Sequence, residues 1–556
     1  MISYYKKDDM GVIEFNDPDS EVNLLSKENF KQLESIIDSV TSNKVELRAL
    51  FFTSKKQNVF IAGADIKELA AMRTEKEVVS FCKNGQRLFS KIADLKMPTF
   101  TIVDGACVGG GMELALSCDH ILATTNKRVK IGLPEVKLGI SPGFGGPHRL
   151  KEKIGSKRAD SLMDKGELIF AKEAKELGII DKIIPESRKC DYEKLARLPV
   201  QPRRLDLNPT YAVGQVEAVE RQEVIDKIFQ PPAQNALSSY LLVDKYKGPE
   251  LLSPRLKRCS VIGAGTMGRD IAYLISLKTE LPVDITDANK NVLKKARPYI
   301  KNICKDAISR GMRPSIKNIR FGNGVCKDTD IVIESIIEDA LKKKILFSQI
   351  EKSLRKDCII ATNTSCISIE ELSRSLRNAE RFIGMHFFNP AYKMKLVEVI
   401  PTRFTSKEVL SSTIGFLRSF KKIPLVVKDS PGFLVNRMIL PYLNEALFML
   451  KNGFNAEDIE NAMLDFGMPV GPLRLLEEIG HDVAYKASEI LEQGLGDKIK
   501  TQQSSGRKDI ANRLLCPIRR QAELCLKEGI VGSREDIDLA LLLGVGFPRS
   551  RRIWEA

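Results

Sequence analysis

Tryptophan occurs once, histidine four times, and no two cysteines stand in a CxxC spacing anywhere in the 556 residues. The missing cysteine pairs exclude the usual written metal clusters. The odd count of eleven cysteines, scattered from Cys82 to Cys525, fits reduced thiols in a cytosol-like compartment better than a disulfide framework. Long apolar runs are also missing. The longest, such as Ile331 to Ile333 and Leu539 to Leu543, fall far short of the roughly 20 residues needed to cross a bilayer. Met1 to Met10 has no apolar stretch and carries Asp8 and Asp9, so it does not read as a secretion signal. The last residues, Ile553, Trp554, Glu555 and Ala556, lack a peroxisomal SKL-like address. A cytoplasmic protein without a transmembrane segment is expected.

What is present describes a large globular chain. It is 43% hydrophobic and 29% charged, enough to bury three or four domain cores at roughly 150 residues each. The 87 basic and 72 acidic residues leave a net charge of +15, but the basic residues are dispersed. With one tryptophan and no nucleic-acid signature, a solvated basic surface or attraction for a phosphorylated small substrate is expected, and no nucleic-acid partner.

Short apolar runs (Ala49 to Phe52, Thr99 to Val103) alternate with helical periodicity (Phe30 to Val40, Glu77 to Leu95), an α/β rhythm that places a first domain at 1–189. Residues 190–256 read as a connecting segment. It carries Pro199, Pro202, Pro209, Pro231, Pro232, Pro249 and Pro254 around a charged helix from Val216 to Ile228. A second α/β rhythm fills 257–430. A helical domain follows over 431–500, including Phe433 to Lys451 and Ala456 to Leu464, and 501–556 reads as a shortened second copy of it. PYLNEALFMLKNG (441–453) and PIRRQAELCLKEG (517–529) carry that internal repeat.

Two clusters carry chemistry. In VGGGMELAL (108–116), three glycines lead into a helix start, where backbone amides point outward and stabilise anions. In FIAGADIKEL (60–69), Gly63 bends the chain and exposes the amide of Ala64. Two converging amides would stabilise an enolate-like thioester, and paired carboxyls would move protons beside it. Glu113 and Glu135 are the candidates. Taken singly, each also reads as an ordinary helix-start or loop carboxylate.

In combination, FIAGADIKEL, DGACVGGGMELALSCD and IGLPEVKLGISPGFGG closely resemble the enoyl-CoA hydratase signature of the crotonase superfamily over residues 10–185. The resemblance implies a spiral ββα domain acting on a CoA thioester. Ala64 and Gly110 would form the oxyanion hole, with Glu113 and Glu135 as the acid/base pair. One departure is that 22 residues separate the two glutamates, two more than usual. The extra length is placed in a surface turn near Asn126 to Lys130.

SVIGAGTMG (260–268) sets Gly263, Gly265 and Gly268 between a short apolar strand and a helical run from Arg269 to Leu277, and a second strand ends at Asp287. This is the context of a dinucleotide fold, with Asp287 gripping a ribose diol and disfavouring a 2′-phosphate, which points to NAD. A flavin or nucleotide-free Rossmann domain is the other reading. His120, His148 and His481 read as structural. His386, in GMHFFNP, has Glu398 twelve residues later in KLVEVI, where a returning strand could orient the imidazole as a base for alcohol oxidation.

NTSCISI (363–369), GMHFFNP (384–390), KLVEVI (395–400) and DSPGFLVNR (429–437) resemble the L-3-hydroxyacyl-CoA dehydrogenase family. The resemblance implies His386 as base and Glu398 as its partner. Ser365, Asn389 and Asn436 would position substrate, Glu334 would lie near the cofactor, and an all-α C-terminal domain would follow the Rossmann domain. The two units in this order resemble the bacterial fatty-acid oxidation complex α-subunit and the peroxisomal multifunctional enzyme type 1, which implies acyl-CoA substrates and a thiolase subunit as candidate partner. Relatives continue beyond GFPRSRRIWEA. Δ3-Δ2 enoyl isomerisation is a plausible addition. A dehydrogenase with an inactive hydratase domain and a non-catalytic scaffold subunit remain open alternatives.

Overall fold

The computed structural model describes residues 2–42, 46–198, 213–248, 256–309, 314, 316–322, 324–479 and 506–555. Pro199, Pro202, Pro209, Pro249, Pro254 and His481 lie outside them. The chain divides into two compact units, Met1–Ser238 and Ser239–Ala556. Among the described residues no helix is long and apolar enough to cross a membrane.

The described part of the first unit has ten strands: β1 (Ile2–Lys7), β2 (Met10–Phe15), β3 (Ala49–Ser54), β4 (Asn58–Ile61), β5 (Thr99–Val103), β6 (Gly105–Val108), β7 (His120–Thr124), β8 (Lys130–Gly132), β9 (Ile169–Phe170) and β10 (Lys182–Ile184). Six form a sheet in the order β1-β2-β3-β5-β7-β10, and four form a second sheet in the order β4-β6-β8-β9. From β3 to β8 successive strands alternate between the two sheets, so each strand–strand turn of the chain there adds one strand to each. β4, β6 and β8 are parallel neighbours, and parallel neighbours lie only about 4.8 Å apart. The loops leaving their C-terminal ends are therefore forced together, and these loops carry Gly63, Gly109 and Glu135. The turn at 126–129 between β7 and β8 lies at the surface, with Thr125, Lys127 and Lys130 exposed.

Residues 213–238 are not a loose connector. Helix Val213–Ile228 buries Val224 and Ile228 in the core of the first unit, and Ala233 and Leu237 follow them there. Pro231 and Pro232 open a second helix, Pro231–Lys247, instead of breaking the chain. Proline lacks an amide that the first helical turn leaves unbonded in any case, and its fixed φ suits that turn.

The second unit is built on an eight-stranded sheet. Its strands are β11 (Cys259–Ile262), β12 (Val283–Thr286), β13 (Ile319–Gly322), β14 (Ile331–Glu334), β15 (Ile359–Thr362), β16 (Phe382–Phe387), β17 (Leu396–Pro401) and β18 (Ile423–Val426). The order is β13-β12-β11-β14-β15-β16-β17-β18. β11 to β16 run parallel, with β12 and β14 on either side of β11. The chain thus reverses its direction of travel across the sheet at β11, the point where α/β sheets open a ligand crevice. β17 returns antiparallel to β16.

No strand follows β18 among the described residues. Helix Val435–Lys451 carries Pro441 and is followed by Gly453 at φ +88 and helix Ala456–Phe466. Helix Arg507–Lys527 carries Pro517 and is followed by Gly529 at φ +66 and helix Arg534–Ala540. The two copies of the sequence pattern share one layout, and the long helices pack on each other.

Candidate active sites

In the first unit, Leu25 bonds to the residues on both sides of Ala64: its amide donates to Gly63 O at 2.9 Å and its carbonyl accepts from Asp65 N at 3.0 Å. That pairing turns the Ala64 amide away from the Leu25 strand. Gly110 opens helix Gly110–Ser117, where the first amides have no intrahelical acceptor. Gly109 precedes it at φ +56 and ψ −131, a conformation closed to other residues. A Cβ on Gly109 would lie 3.0 Å from Glu135 Oε1 and 3.5 Å from Gly63 Cα. Three loops therefore meet at one point.

Glu113, on the first turn of that helix, is 1% exposed. Its Oε1 accepts from Phe144 N at 2.8 Å and Gly146 N at 2.9 Å. Phe144 is fixed by edge-to-face contacts with Phe30, Phe81 and Phe89, each worth ~1 kcal/mol beyond its area. Burial raises the Glu113 carboxyl to about 7, the two amides oppose the rise, Glu220 adds to it and Arg149 works against it. Glu135 starts a short 3-10 turn, Glu135–Leu138, just past β8. Its Oε2 is sealed from solvent without a hydrogen-bond partner. Burial, and then the charge of Glu113, hold it well above the usual carboxylate range. One carboxyl held protonated beside one poised near neutrality is an arrangement that can give a proton and take another.

In the second unit the three glycines serve different ends. A Cβ on Gly263 would strike Ser335 O at 2.3 Å and one on Gly268 would strike Gly263 O at 1.8 Å, whereas one on Gly265 meets nothing within 4 Å. The first two close the strand–turn–helix and the third leaves an open approach, which fits a pyrophosphate over helix Thr266–Lys278. Asp287 follows β12, and its Oδ2 accepts the Ala264 amide at 2.8 Å.

His386 and Glu398 stand directly opposite in the β16–β17 pair. Opposed residues of an antiparallel pair point to the same face, and His386 Nδ1 lies 2.6 Å from Glu398 Oε2. Glu398 Oε1 accepts the amides of Leu434 and Val435, both at 3.0 Å, at the start of helix Val435–Lys451, an end that favours negative charge. Phe388 and Phe433 flank the imidazole. With Nδ1 committed to Glu398, Nε2 is the nitrogen left for a substrate hydroxyl.

Residues 6–198 match the model of the enoyl-CoA hydratase/isomerase family. Residues 258–430 match the NAD-binding domain of 3-hydroxyacyl-CoA dehydrogenase, and 432–508 match its C-terminal domain. The fatty acid oxidation complex subunit alpha of Vibrio campbellii is 31% identical over 603 aligned positions, covering 90% of this chain and 86% of that protein. The chain belongs to the family of the fatty acid oxidation complex alpha subunit. A second member, from Vibrio parahaemolyticus, is 30% identical over 631 positions, covering 96% of this chain and 90% of that one. Among solved structures, (S)-3-hydroxybutyryl-CoA dehydrogenase from Ralstonia eutropha is 35% identical, covering 43% of this chain and 87% of that one, with a TM-score of 0.41.

The family resemblance puts Glu334 near the cofactor, and in the structure both of its carboxylate oxygens are bonded within the protein. It is fully buried at the end of β14, where Oε1 accepts from Lys343 Nζ and Ile336 N, both at 2.7 Å, and Oε2 accepts from Thr362 Oγ1 at 2.6 Å. A second carboxylate, Glu338, lies four residues on and is half-buried. It accepts from Thr364 Oγ1 at 2.5 Å and Ser365 N at 2.7 Å and lies 3.6 Å from Lys343 Nζ. Sequence reasoning missed the Glu338–Lys343 pair, although a carboxylate four residues past the strand end was the available signal. Asn436 Nδ2 donates to Ser365 O at 3.0 Å, so it steadies the loop that carries Ser365. Asn389 is exposed, three residues past His386.

Proposed function

We propose that this enzyme hydrates trans-2-enoyl-CoA at the first site and oxidises the resulting L-3-hydroxyacyl-CoA to 3-ketoacyl-CoA with NAD at the second, two consecutive steps of fatty-acid β-oxidation. The observation that carries the reading is that one chain holds both a buried Glu113 facing a half-buried Glu135 with a sealed carboxyl oxygen, against two glycine turns, and a histidine–glutamate pair in the sheet of a dinucleotide fold.

At the first site the Ala64 and Gly110 amides receive the thioester oxygen as it gains charge, worth roughly 3 kcal/mol per donor. Glu113 uses its unclamped oxygen to take a proton from water as the hydroxyl adds at C3. Glu135, protonated, gives its proton to C2. At the second site Gly263, Gly265, Gly268 and Asp287 hold NAD, which supplies the hydride acceptor when bound. His386 takes the hydroxyl proton at Nε2, and Glu398 fixes the ring and balances the positive charge that results. Ser365, Asn389 and Asn436 orient the acyl-CoA.

Purified protein given enoyl-CoA and NAD is expected to form NADH. No NADH from either enoyl-CoA or hydroxyacyl-CoA contradicts the reading, and NADH from hydroxyacyl-CoA alone favours a dehydrogenase with an inactive first site. Proton transfer between C2 and C4 by the same glutamates would extend the first site to Δ3-Δ2 isomerisation, which a 3-enoyl-CoA substrate tests. The relatives are named as subunits of a complex, and a thiolase is the partner proposed here; co-purification with a 3-ketoacyl-CoA thiolase tests it.

A further inference from the structure

The clamp on Glu113 is itself held from behind. Arg149, on helix Gly146–Ile154, is 5% exposed. Its Nη1 donates to Phe144 O at 3.2 Å and Gly145 O at 3.0 Å, and its Nη2 to Ser90 Oγ at 3.2 Å. The Gly145 carbonyl and the Gly146 amide are two ends of one planar peptide group. The guanidinium holds one end while Glu113 Oε1 holds the other. Gly145 sits at φ +92, and a Cβ there would lie 2.3 Å from Arg149 Nη1, whereas one on Gly146 would lie 2.5 Å from Glu113 Cγ, so one glycine makes room for the arginine and the next for the glutamate.

The network continues into a helix that begins after the hydratase/isomerase match ends at residue 198. Ser90 Oγ, which accepts from Arg149, donates to Glu217 Oε1 at 3.0 Å. Gln86 Nε2 donates to Glu217 O at 3.0 Å, and Arg221 bonds to Gln86. Glu220 is 6% exposed. Its Oε1 accepts from His148 N at 3.1 Å and faces His148 Nδ1 at 3.0 Å, while its Oε2 is sealed without a partner. A buried carboxylate with an unpaired oxygen is costly to keep.

We propose that Arg149 is a positioning residue for Glu113 and that helix Val213–Ile228, through Glu220, is a working part of the first site. The inference rests on the reading of Glu113 as the base that activates water. An ångström of movement at the guanidinium rotates the Gly145–Gly146 peptide and takes a donor off Glu113. The charges are arranged to oppose one another. The titratable and charged groups around Glu113 are Glu135, Arg149 and Glu220, with Glu217 and Arg221 behind them, and Cys82, whose buried thiol is pushed up to about 12. Glu220 resists ionisation of Glu113 and Arg149 favours it.

The test is the pH profile of enoyl-CoA hydration by the full chain, with oxidation of hydroxyacyl-CoA in the same samples as an internal control of integrity. Glu220→Gln is expected to move the acid limb of kcat to lower pH by about half a pH unit. Arg149→Gln is expected to move it to higher pH and to lower kcat roughly 10- to 100-fold with KM within about twofold. Arg149→Lys keeps the charge and loses the fork, so it should restore the limb more fully than kcat. If Arg149→Gln abolishes the cooperative unfolding of the first unit, Glu220→Gln and Arg149→Lys decide the matter. A limb that stays at its wild-type position in Glu220→Gln, or that moves the same way in both directions of charge change, overturns the proposal. A wild-type chain that does not hydrate enoyl-CoA contradicts the functional reading instead.

Discussion

In the first unit Glu113 gives one oxygen to the amides of Phe144 and Gly146 at the start of helix Gly146–Ile154. In the second, Glu398 gives one oxygen to the amides of Leu434 and Val435 at the start of helix Val435–Lys451. The clamp is the same, and the difference lies in the second oxygen. Glu398 turns it to His386 Nδ1 at 2.6 Å, whereas among the described residues no hydrogen bond is given to Oε2 of Glu113. A clamped carboxylate with an imidazole partner becomes a support, and one left open becomes a reactant. The surroundings differ as well: burial, with a smaller push from Glu220, raises Glu113 to about 7, whereas Glu398 faces an imidazole at a helix start.

The largest effects should come from the support. Glu398→Gln keeps the clamp through its amide oxygen but turns an N–H donor toward Nδ1. The ring must then carry its proton on Nε2, where a base is needed. Oxidation of hydroxyacyl-CoA, followed by NADH absorbance, should fall ~10³- to 10⁴-fold, nearly as far as in His386→Gln, while hydration changes less than about twofold. A loss confined to tenfold would mean that Glu398 merely braces the ring. Next, Glu113→Gln should lower hydration roughly 10³-fold and leave oxidation of supplied hydroxyacyl-CoA intact. Asp287→Ala should raise the KM for NAD about tenfold and narrow the preference over NADP. An unchanged KM would remove Asp287 from the ribose site.

The remaining effect concerns stability. The Glu113 carboxyl titrates near 4.5 in the unfolded chain and at about 7 in the folded one. Between those values the folded unit holds the extra proton, so stability declines as pH rises through that window, and the full loss is present above 7. Glu113→Gln removes it. The melting temperature of the first unit in calorimetry should rise by roughly 7–14 °C at pH 8 and not at pH 4. A rise of equal size at both pH values would mean that packing, not ionisation, changed.

What the sequence made legible was carried by neighbours in the chain. The glycine turns at Gly109 and Gly263 announce themselves because a side chain fits neither the backbone of Gly109, at φ +56 and ψ −131, nor Gly263, where a Cβ would lie 2.3 Å from Ser335 O. Glu398 could be placed opposite His386 because twelve residues suffice for a strand, a turn and a return. What stayed hidden depends on contacts between distant segments. Glu220 reaches His148 across 72 residues, and nothing in an amphipathic helix says which carboxylate turns inward. Glu334 and Glu338 both follow an apolar run, and only packing decides that the first is fully buried against Lys343 while the second, 3.6 Å from the same ammonium, stays half-exposed. Pro231 and Pro232 look like breakers until their place at a helix start is known.

If two independent sites in one chain act in sequence on one acyl-CoA, a mixing experiment reveals it most directly. Glu113→Gln and His386→Gln are each given enoyl-CoA and NAD, alone and then together, and NADH is followed. Each variant alone should form almost none, the first for want of hydroxyacyl-CoA and the second for want of a base, and the mixture should recover a substantial part of the wild-type rate as the intermediate passes between molecules. Brisk NADH formation by Glu113→Gln alone, or none from the mixture, would contradict it.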